Sequence, residues 1–368
     1  MSVGHAVRAS RADLLRMRRL AQAIDGPRDP DPAAVVRRML ALQGQDFAAG
    51  CWALAVRTTD ATLADVLAEL DAGRIIRSWP MRGTLHFVAP EDFRWMLSVT
   101  MDRMVASLGR RQEQLGLSAP DFARAADIVT AELEGGGSIS RAELMALWES
   151  AGVATTGQRG YHLIYFLAQT GLLCWGPVVR SGNGMPTQAL VLLDEWAPPP
   201  PPLDAAEANA QFLLRYLIGH GPATLRDFVW WTKGTVGAAK AARAELGDAL
   251  ATLETDGTEY LVAAELAERA TATRASRAEK DAVHLLPAFD EYLLGYQDRS
   301  PILDEEHAEA IVPGGNGVFQ PLIVAGGRIV GTWRRDGTRV VPLPFVPLSD
   351  ARARRLDRAA KAYTRYAG

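Results

Sequence analysis

Two glutamines stand two positions apart in this chain, at Gln43 and Gln45, and a carboxylate follows them at Asp46. A glutamine side chain can accept a hydrogen bond from water through its carbonyl while its amino group donates to backbone or phosphate. Such a pair could therefore hold a water molecule in place as a nucleophile. The alternative is structural, because the motif follows an apolar-periodic helix and glutamine is ordinary in a last helical turn.

A second group of polar residues lies about forty positions later, in residues 81–88. The alternation of a β-strand would place Arg82, Thr84 and His86 on one face of that strand. Arg82 is a candidate phosphate ligand, since guanidinium groups pair well with phosphate oxygens. The alternative is a structural arginine beside a partly buried histidine.

Two basic segments are candidates for contacts with phosphate. Residues 176–186 form a glycine-containing loop between two expected strands, where Asn183 permits a tight tip and Arg180 could enter a nucleic-acid groove. Residues 352–365, in the expected terminal helix, contain six basic residues and one acidic residue, with Arg352 and Arg355 among them. A mobile surface wing and a solvated helix face are the respective alternatives.

Asp290, Glu291 and Asp298 form a carboxylate cluster of a kind that could serve acid–base chemistry or a metal. No histidine stands at a useful spacing and Arg299 adjoins Asp298, so internal salt bridges are the better interpretation. The only two cysteines are far apart in sequence, which argues against a zinc site or a disulfide framework. We expect no metal and no cofactor.

Local signals predict an α+β chain built from repeated units of three helices and a hairpin. Ser10 caps the first helix, Asp31 with Pro32 opens the second, and Gly73 ends the third before two strands. The same order of elements recurs twice. The predicted domains are residues 1–117, 118–197 and 205–270, a proline linker at 198–204, and a small open β-barrel with a terminal helix at 281–368, with Gly326-Gly327 as a hairpin turn.

Composition describes a globular protein of more than one core: 368 residues, 48% hydrophobic and 23% charged. The net charge of −3 divides into +3 for residues 1–117, −8 for 118–270 and +2 for 271–368. Non-specific DNA affinity should therefore be modest and come from the two ends. No membrane-spanning run, signal peptide or mononucleotide-binding loop is evident, so we expect a cytoplasmic protein without a membrane partner.

Four strings resemble the winged-helix DNA glycosylases of the AlkZ type: Gln-Gly-Gln at 43–45, R-G-T-L-H at 82–86, D-E-Y-L-L-G-Y at 290–296 and G-T-W-R at 331–334. The resemblance spans nearly the whole chain, although the family prefers an aliphatic residue where Gly44 stands. It implies three tandem winged helices followed by a C-terminal β-barrel, together forming a C-shaped cradle for DNA.

Enzymes of this family excise alkylated bases and unhook interstrand crosslinks. The resemblance therefore implies a monofunctional DNA glycosylase that acts as a monomer on N7- or N3-alkylated purines of double-stranded DNA, with Gln43 and Gln45 positioning the water. Lysine, the usual amine of Schiff-base glycosylases, occurs only four times and not near the motif. The same motifs would suit genome repair or self-resistance to a genotoxic natural product. A winged-helix DNA-binding regulator without catalytic activity is the alternative.

Overall fold

The computed structural model describes residues 7–180, 184–197, 203–272, 281–337 and 339–368. Within these ranges the helices are α1 Arg11–Ala21, α2 Pro32–Met39, α3 Phe47–Ala55, α4 Leu63–Asp71, α5 Pro90–Ala106, α6 Gly109–Leu115, α7 Ala119–Leu133, α8 Arg141–Ser150, α9 Arg159–Gln169, α10 Leu193–Trp196, α11 Ala205–His220, α12 Leu225–Thr232, α13 Val236–Leu246, α14 Ala264–Ala272, α15 Glu291–Leu294, α16 Ala308–Ile311 and α17 Asp350–Ala367. The strands are β1 Val7–Arg8, β2 Ala41–Gln43, β3 Ile76–Met81, β4 Thr84–Val88, β5 Leu173–Val179, β6 Thr187–Leu192, β7 Leu250–Thr255, β8 Thr258–Ala263, β9 Val283–Leu286, β10 Leu322–Ala325, β11 Arg328–Asp336 and β12 Arg339–Pro344. No helix among the described residues is long and apolar enough to cross a membrane.

The chain divides into two compact units, a middle unit of Leu67–Ala208 and a terminal unit of Met1–Val66 with Asn209–Gly368. The middle unit contains four strands of one antiparallel sheet, in the order β4-β3-β5-β6. Its helices close over the sheet with a core that is rich in large apolar side chains: Trp79, Phe122, Trp148, Leu163 and Leu190. An isolated bridge joins Ile139 to Leu190, so α7, the bridge, α8, α9, β5 and β6 follow one another in the order of a winged helix.

Helix starts in the middle unit follow from their capping residues. Ser140 accepts a hydrogen bond from the backbone N–H of Glu143, and the Glu143 carboxylate accepts one from the Ser140 N–H in return. This reciprocal box satisfies two amide groups that have no partner within the helix, and so it fixes the first turn of α8.

The terminal unit contains a three-stranded sheet in the order β1-β7-β8, in which β1 runs parallel to β7 and β7 antiparallel to β8. Helices α1 and α14 cover it with a buried apolar cluster: Leu14, Met17, Leu20, Leu253, Tyr260 and Val262. A bridge from Ala223 to Leu261 lies between α11 and α12, so the winged-helix order of elements recurs in α11 to β8.

The last strands form an antiparallel sheet in the order β12-β11-β10-β9, and α17 packs on it. Ring contacts join the helix to the sheet, with Trp333 4.9 Å from Tyr363 between centroids. Gly326 and Gly327 connect β10 to β11 with positive φ angles, as the sequence predicted. Strands β9 and β12 remain edges among the described residues, so the expected β-barrel is an open sheet here.

Two local expectations from the sequence are wrong. The glutamine motif does not end a helix, because α2 stops at Met39 and Gln43 lies in the short strand β2. Residues 81–88 are not one strand either, because a two-residue turn at Arg82 and Gly83 separates β3 from β4. The five prolines at 198–202 of the predicted linker, and Asn183, lie outside the described residues.

Candidate active site

The glutamine motif occupies the short connection between α2 and α3 in the terminal unit. The chain leaves α2 through Leu40, which is fully buried and has a φ of 64° and a ψ of −49°. A non-glycine residue pays a conformational cost there, so packing of the Leu40 side chain must hold the turn. Gln43 is half-buried and Gln45 is exposed, while Gly44 between them is buried. The motif therefore presents its two amides from a constrained backbone.

Asp46 has a structural role at the start of α3. Its Oδ1 accepts a hydrogen bond from the backbone N–H of Ala49 at 3.0 Å, which makes it the N-cap of the helix. This carboxylate stabilises α3, the helix that follows the motif.

The backbone of Gln43 is held by a carboxylate that lies 248 residues later in the chain. The N–H of Gln43 donates to Oε1 of Glu291 at 3.2 Å, and the indole N–H of Trp231 donates to Oε2 at 2.8 Å. His220 Nε2 lies 3.4 Å from the same Oε2. Glu291 is 1% exposed, so all of this takes place away from solvent.

Asp290, next to Glu291, forms a buried ion pair with Arg57. Both side chains are fully buried, and the guanidinium donates to both carboxylate oxygens at 2.8 and 2.9 Å. Arg57 also donates to the carbonyl of Ala53 and to Oε1 of Gln22, each at 2.9 Å. Phe289, the residue before Asp290, has a φ of 59°. The segment of Asp290 and Glu291 therefore begins at a strained residue, as the segment of Gln43 does at Leu40.

A second layer of buried polar groups supports His220 and Glu291. The hydroxyl of Tyr296 donates to the carbonyl of His220 at 2.7 Å, and the guanidinium of Arg18 lies 3.7 Å from the centroid of the Tyr296 ring. Burial raises the pKa of Tyr296 well above its usual value. The phenol therefore stays protonated and keeps its role as a donor.

The sequence grouped Asp290, Glu291 and Asp298 as one cluster, and the structure separates them. Asp298 is exposed and accepts from the N–H of Ser300 at 2.9 Å, Asp290 pairs with Arg57, and Glu291 holds the peptide of Gln43. The internal ion pair preferred on sequence grounds therefore exists, but it involves Asp290 and Arg57. No local pattern indicates the contact of Glu291 with the motif, because it joins distant segments.

In the middle unit, Arg82, Thr84 and His86 lie at one hairpin. Arg82 and Gly83 have φ angles of 57° and 69°, and positive φ at both central residues is what a type I′ hairpin turn requires. Arg82 donates to Nε2 of His86 at 2.7 Å, and His86 Nδ1 lies 2.8 Å from the carbonyl of Thr84. Since a carbonyl only accepts, Nδ1 carries the hydrogen and Nε2 is free to accept from the guanidinium.

Arg180 lies in the middle unit, just after the end of the strand β5. It forms an exposed ion pair with Asp71 at 3.0 Å.

Arg355 lines a cleft of about 750 Å³ in the terminal unit, whereas Arg352 is not among its lining residues. The walls combine guanidinium groups with an aromatic floor: Arg28, Arg355, Arg358, Arg365, Trp52 and Tyr366. Asp60 is the single carboxylate among those lining residues that the structure describes, so this part of the cleft is positively charged and suits an anion.

Comparison with known proteins identifies the family. The model of the family described as DNA glycosylase AlkZ-like matches residues 36–366. The chain belongs to the AlkZ-like DNA glycosylase family. An interstrand DNA cross-link repair glycosylase from Streptomyces sahachiroi is 26% identical to this chain over 375 residues, which cover 98% of each protein. The structure is similar to that of the S. sahachiroi DNA glycosylase AlkZ, with a TM-score of 0.81 and 24% identity over 98% of this chain and 97% of the other.

Membership of this family makes the chain a DNA glycosylase, as the sequence motifs indicated. Its substrate is therefore DNA, and its fold is the mixed α+β fold of the AlkZ structure. Within the described ranges no group of three or more His, Cys, Asp and Glu side chains could hold a metal ion.

Proposed function

We propose that this AlkZ-like enzyme hydrolyses the N-glycosidic bond of N7- or N3-alkylated purines in duplex DNA, including bulky adducts and interstrand crosslinks. Family membership supports glycosylase chemistry. The relative from S. sahachiroi is named for cross-link repair, which supports bulky adducts and crosslinks as substrates. The observation that carries the proposal is the glutamine motif, which presents half-buried and exposed amides from a backbone fixed at Gln43 by Glu291.

The chemistry requires little beyond positioning. Alkylation at N7 or N3 gives the purine a positive charge, so the bond from C1′ to N9 breaks with its electron pair moving onto the base. The base leaves neutral, the oxygen of water bonds to the oxocarbenium carbon C1′, and one proton of that water passes to solvent. Because the leaving group is already activated, the enzyme must mainly place the water and stabilise the developing positive charge.

Gln43 and Gln45 are proposed to perform that placement. The carbonyl of a glutamine amide accepts from water and has a partial negative charge that favours an adjacent oxocarbenium ion, while its amino group can donate to DNA phosphate. An amide is neutral and a very weak base, so the rate should be nearly independent of pH around neutrality. No lysine stands near the motif, which favours hydrolysis without a Schiff-base intermediate.

Contacts with the DNA backbone are proposed for the arginine cleft of α17 and for the two hairpins of the middle unit. We propose Arg82, Thr84 and His86 for the first hairpin, where His86 is fully buried and would act by orienting Arg82. We propose Arg180 for the second, together with Asn183, which lies outside the described residues. The present ion pair of Arg180 with Asp71 is exposed, so its exchange for a phosphate costs little. Arg352 and Arg355 are proposed to contact phosphates along the same terminal helix.

We further infer three winged helices, since α7 to β6 and α11 to β8 share one order of elements and α2 to β4 follows a similar one. Three such units in one chain can engage a duplex without a partner subunit. A monomer acting on chromosomal DNA in the cytoplasm, at the nucleoid, is therefore the form that we propose for this enzyme.

The arginine cleft is tested by the salt dependence of DNA binding. Replacing both Arg355 and Arg358 with alanine should weaken binding to duplex DNA and reduce the slope of log affinity against log salt by about 2, one phosphate contact each. Arg354→Ala, on the same helix but outside the cleft lining, is the control and should change little. An unchanged slope in the double variant would remove the cleft from the DNA interface.

The substrate range is tested by single-turnover base release. A duplex with one N7-methylguanine, a duplex with one bulky N7 adduct and an undamaged duplex are incubated with excess enzyme and then cleaved by alkali at abasic sites. We expect release from the two damaged duplexes and none from the control. Release from neither damaged duplex, with the protein folded and bound to DNA, would contradict the proposed substrate class.

A further inference from the structure

We propose that Glu291 is a positioning residue for the glycosylase reaction: it fixes the peptide of Gln43, while Trp231 and His220 hold the carboxylate in place. This inference depends on the proposed catalytic role of the glutamine motif. Glu291 would thus support the catalytic motif although it lies 248 residues after Gln43 in the chain.

The donors around the carboxylate determine which side chain this position needs. Oε1 of Glu291 faces the backbone N–H of Gln43 and Oε2 faces the indole N–H of Trp231, at 3.2 and 2.8 Å. Both neighbours can only donate, so both oxygens must accept. An amide of the same size would satisfy one donor and turn its own N–H₂ toward the other. The site therefore requires a carboxyl group, not merely a polar side chain of this length.

His220 closes one side of the carboxylate. Its Nδ1 lies 3.2 Å from the carbonyl of Tyr216, which only accepts, so Nδ1 carries a hydrogen. Its Nε2 lies 3.4 Å from Oε2 of Glu291 but has no hydrogen-bond partner among the described residues. The imidazole therefore acts here by packing, and the hydrogen bonds that hold the carboxylate come from Gln43 and Trp231.

The surroundings of His220 are rigid. His220 stacks on Tyr216 at 4.9 Å between centroids, and its own carbonyl accepts from Tyr296. A Cβ at Gly295 would lie 2.6 Å from Cδ2 of the His220 ring, so this position leaves no room for a side chain. The imidazole therefore cannot move away from Glu291, and the carboxylate has little freedom to shift relative to the N–H of Gln43.

These contacts reach no substrate atom directly, so their effect must appear in the rate of base release and not in DNA affinity. A misplacement of a reacting group by about 1 Å can cost about 100-fold in rate. Glu291→Gln should therefore lower the single-turnover rate by up to about that factor, with the dissociation constant for duplex DNA unchanged. Trp231→Phe keeps the bond between Glu291 and Gln43 and should lose much less.

The experiment measures single-turnover base release and DNA affinity for Glu291→Gln, Glu291→Asp, Trp231→Phe and Asp298→Asn. Asp298→Asn removes a carboxylate from the same segment and should behave as wild type. Glu291→Asp keeps the charge but shortens the side chain by one methylene. Glu291→Asp should also release base more slowly while its affinity for DNA is retained. This variant takes the place of Glu291→Gln in the test if Glu291→Gln does not fold. Hydrogen exchange at the Gln43 amide of the wild-type enzyme should be slow, because that N–H is donated to a buried carboxylate.

Separate results overturn the two proposals. If Gln43→Ala is inactive and both Glu291 variants release base at the wild-type rate, the positioning role is wrong. It is also wrong if rate, affinity and stability fall together in those variants, or if the Gln43 amide exchanges freely in the wild-type enzyme. If Gln43→Ala itself keeps full activity, the proposed function of the motif fails instead.

Discussion

The ion pair of Arg57 with Asp290 provides the most demanding test of the buried site. Both side chains are fully buried, and Arg57→Met would replace the arginine with a shorter, flexible apolar side chain. The change leaves an uncompensated carboxylate at Asp290 and deprives the Ala53 carbonyl and the Gln22 amide oxygen of their donor. Breaking a buried pair in this way costs about 3–5 kcal/mol of the free energy of unfolding.

That cost is large compared with the total stability of a folded protein, which is typically about 5–15 kcal/mol. It can be measured by urea denaturation, followed by far-UV circular dichroism and by tryptophan fluorescence. Two probes are needed because the chain has two compact units, which need not unfold together. The transition of the terminal unit should move to lower urea, and that of the middle unit should stay in place.

The matched control removes both charges. In Arg57→Met with Asp290→Asn, the asparagine can still accept from the N–H of Tyr292, as Asp290 does at 2.8 Å, and keeps the N-cap of α15. Its amide N–H₂ can donate to acceptors that Arg57 vacates. The double variant should therefore recover most of the lost stability. If the single variant loses less than about 1 kcal/mol of the free energy of unfolding, Arg57 and Asp290 do not form a water-excluded, closely coupled ion pair. The same conclusion follows if the double variant recovers none of the lost stability.

Two further predictions concern acid stability and the middle unit. Burial alone would raise the pKa of Asp25, but the hydrogen bonds and charges of His284 and Arg19 lower it to about 2. A carboxyl with a lowered pKa stabilises the fold above about pH 4, so roughly 2 kcal/mol should be lost as the pH falls from about 4 to 2. Asp25→Asn should flatten that part of the stability profile, and a profile unchanged by the substitution would contradict the assignment. Gly83→Ala should cost about 1–2 kcal/mol, because φ is 69° there and a Cβ would lie 2.8 Å from the Tyr165 hydroxyl; an unaltered urea midpoint for the middle unit would contradict it.

Much of the local structure follows from short-range signals in the sequence. Ser10 caps α1 through Asp13, Asp31 caps α2 with Pro32 in its first turn, and Gly326-Gly327 turns a hairpin. Each of these depends on residues within four positions of one another. The glutamine motif could also be recognised in the sequence, because Gln43 and Gln45 are only two positions apart.

The parts that sequence reasoning missed depend on tertiary structure. Arg82 disrupts the expected strand because it adopts a positive φ, which a non-glycine residue does only when the surrounding hairpin requires it. Leu40 ends α2 in a similar way, so that Gln43 lies in a strand and not in the last turn of a helix. Glu291 was visible as a carboxylate, but its contact with Gln43 joins segments 248 residues apart and needs the folded terminal unit.

The most direct test of the account is base release by Gln43→Ala, Gln45→Ala and the double variant on a duplex with one N7-methylguanine. Asp46→Asn is the matched control, since asparagine also caps helices and leaves α3 intact. We expect the double variant to bind the duplex as wild type but to release no base, while Asp46→Asn stays active. Base release at the wild-type rate by the folded double variant would contradict the central claim that the two glutamines position the water.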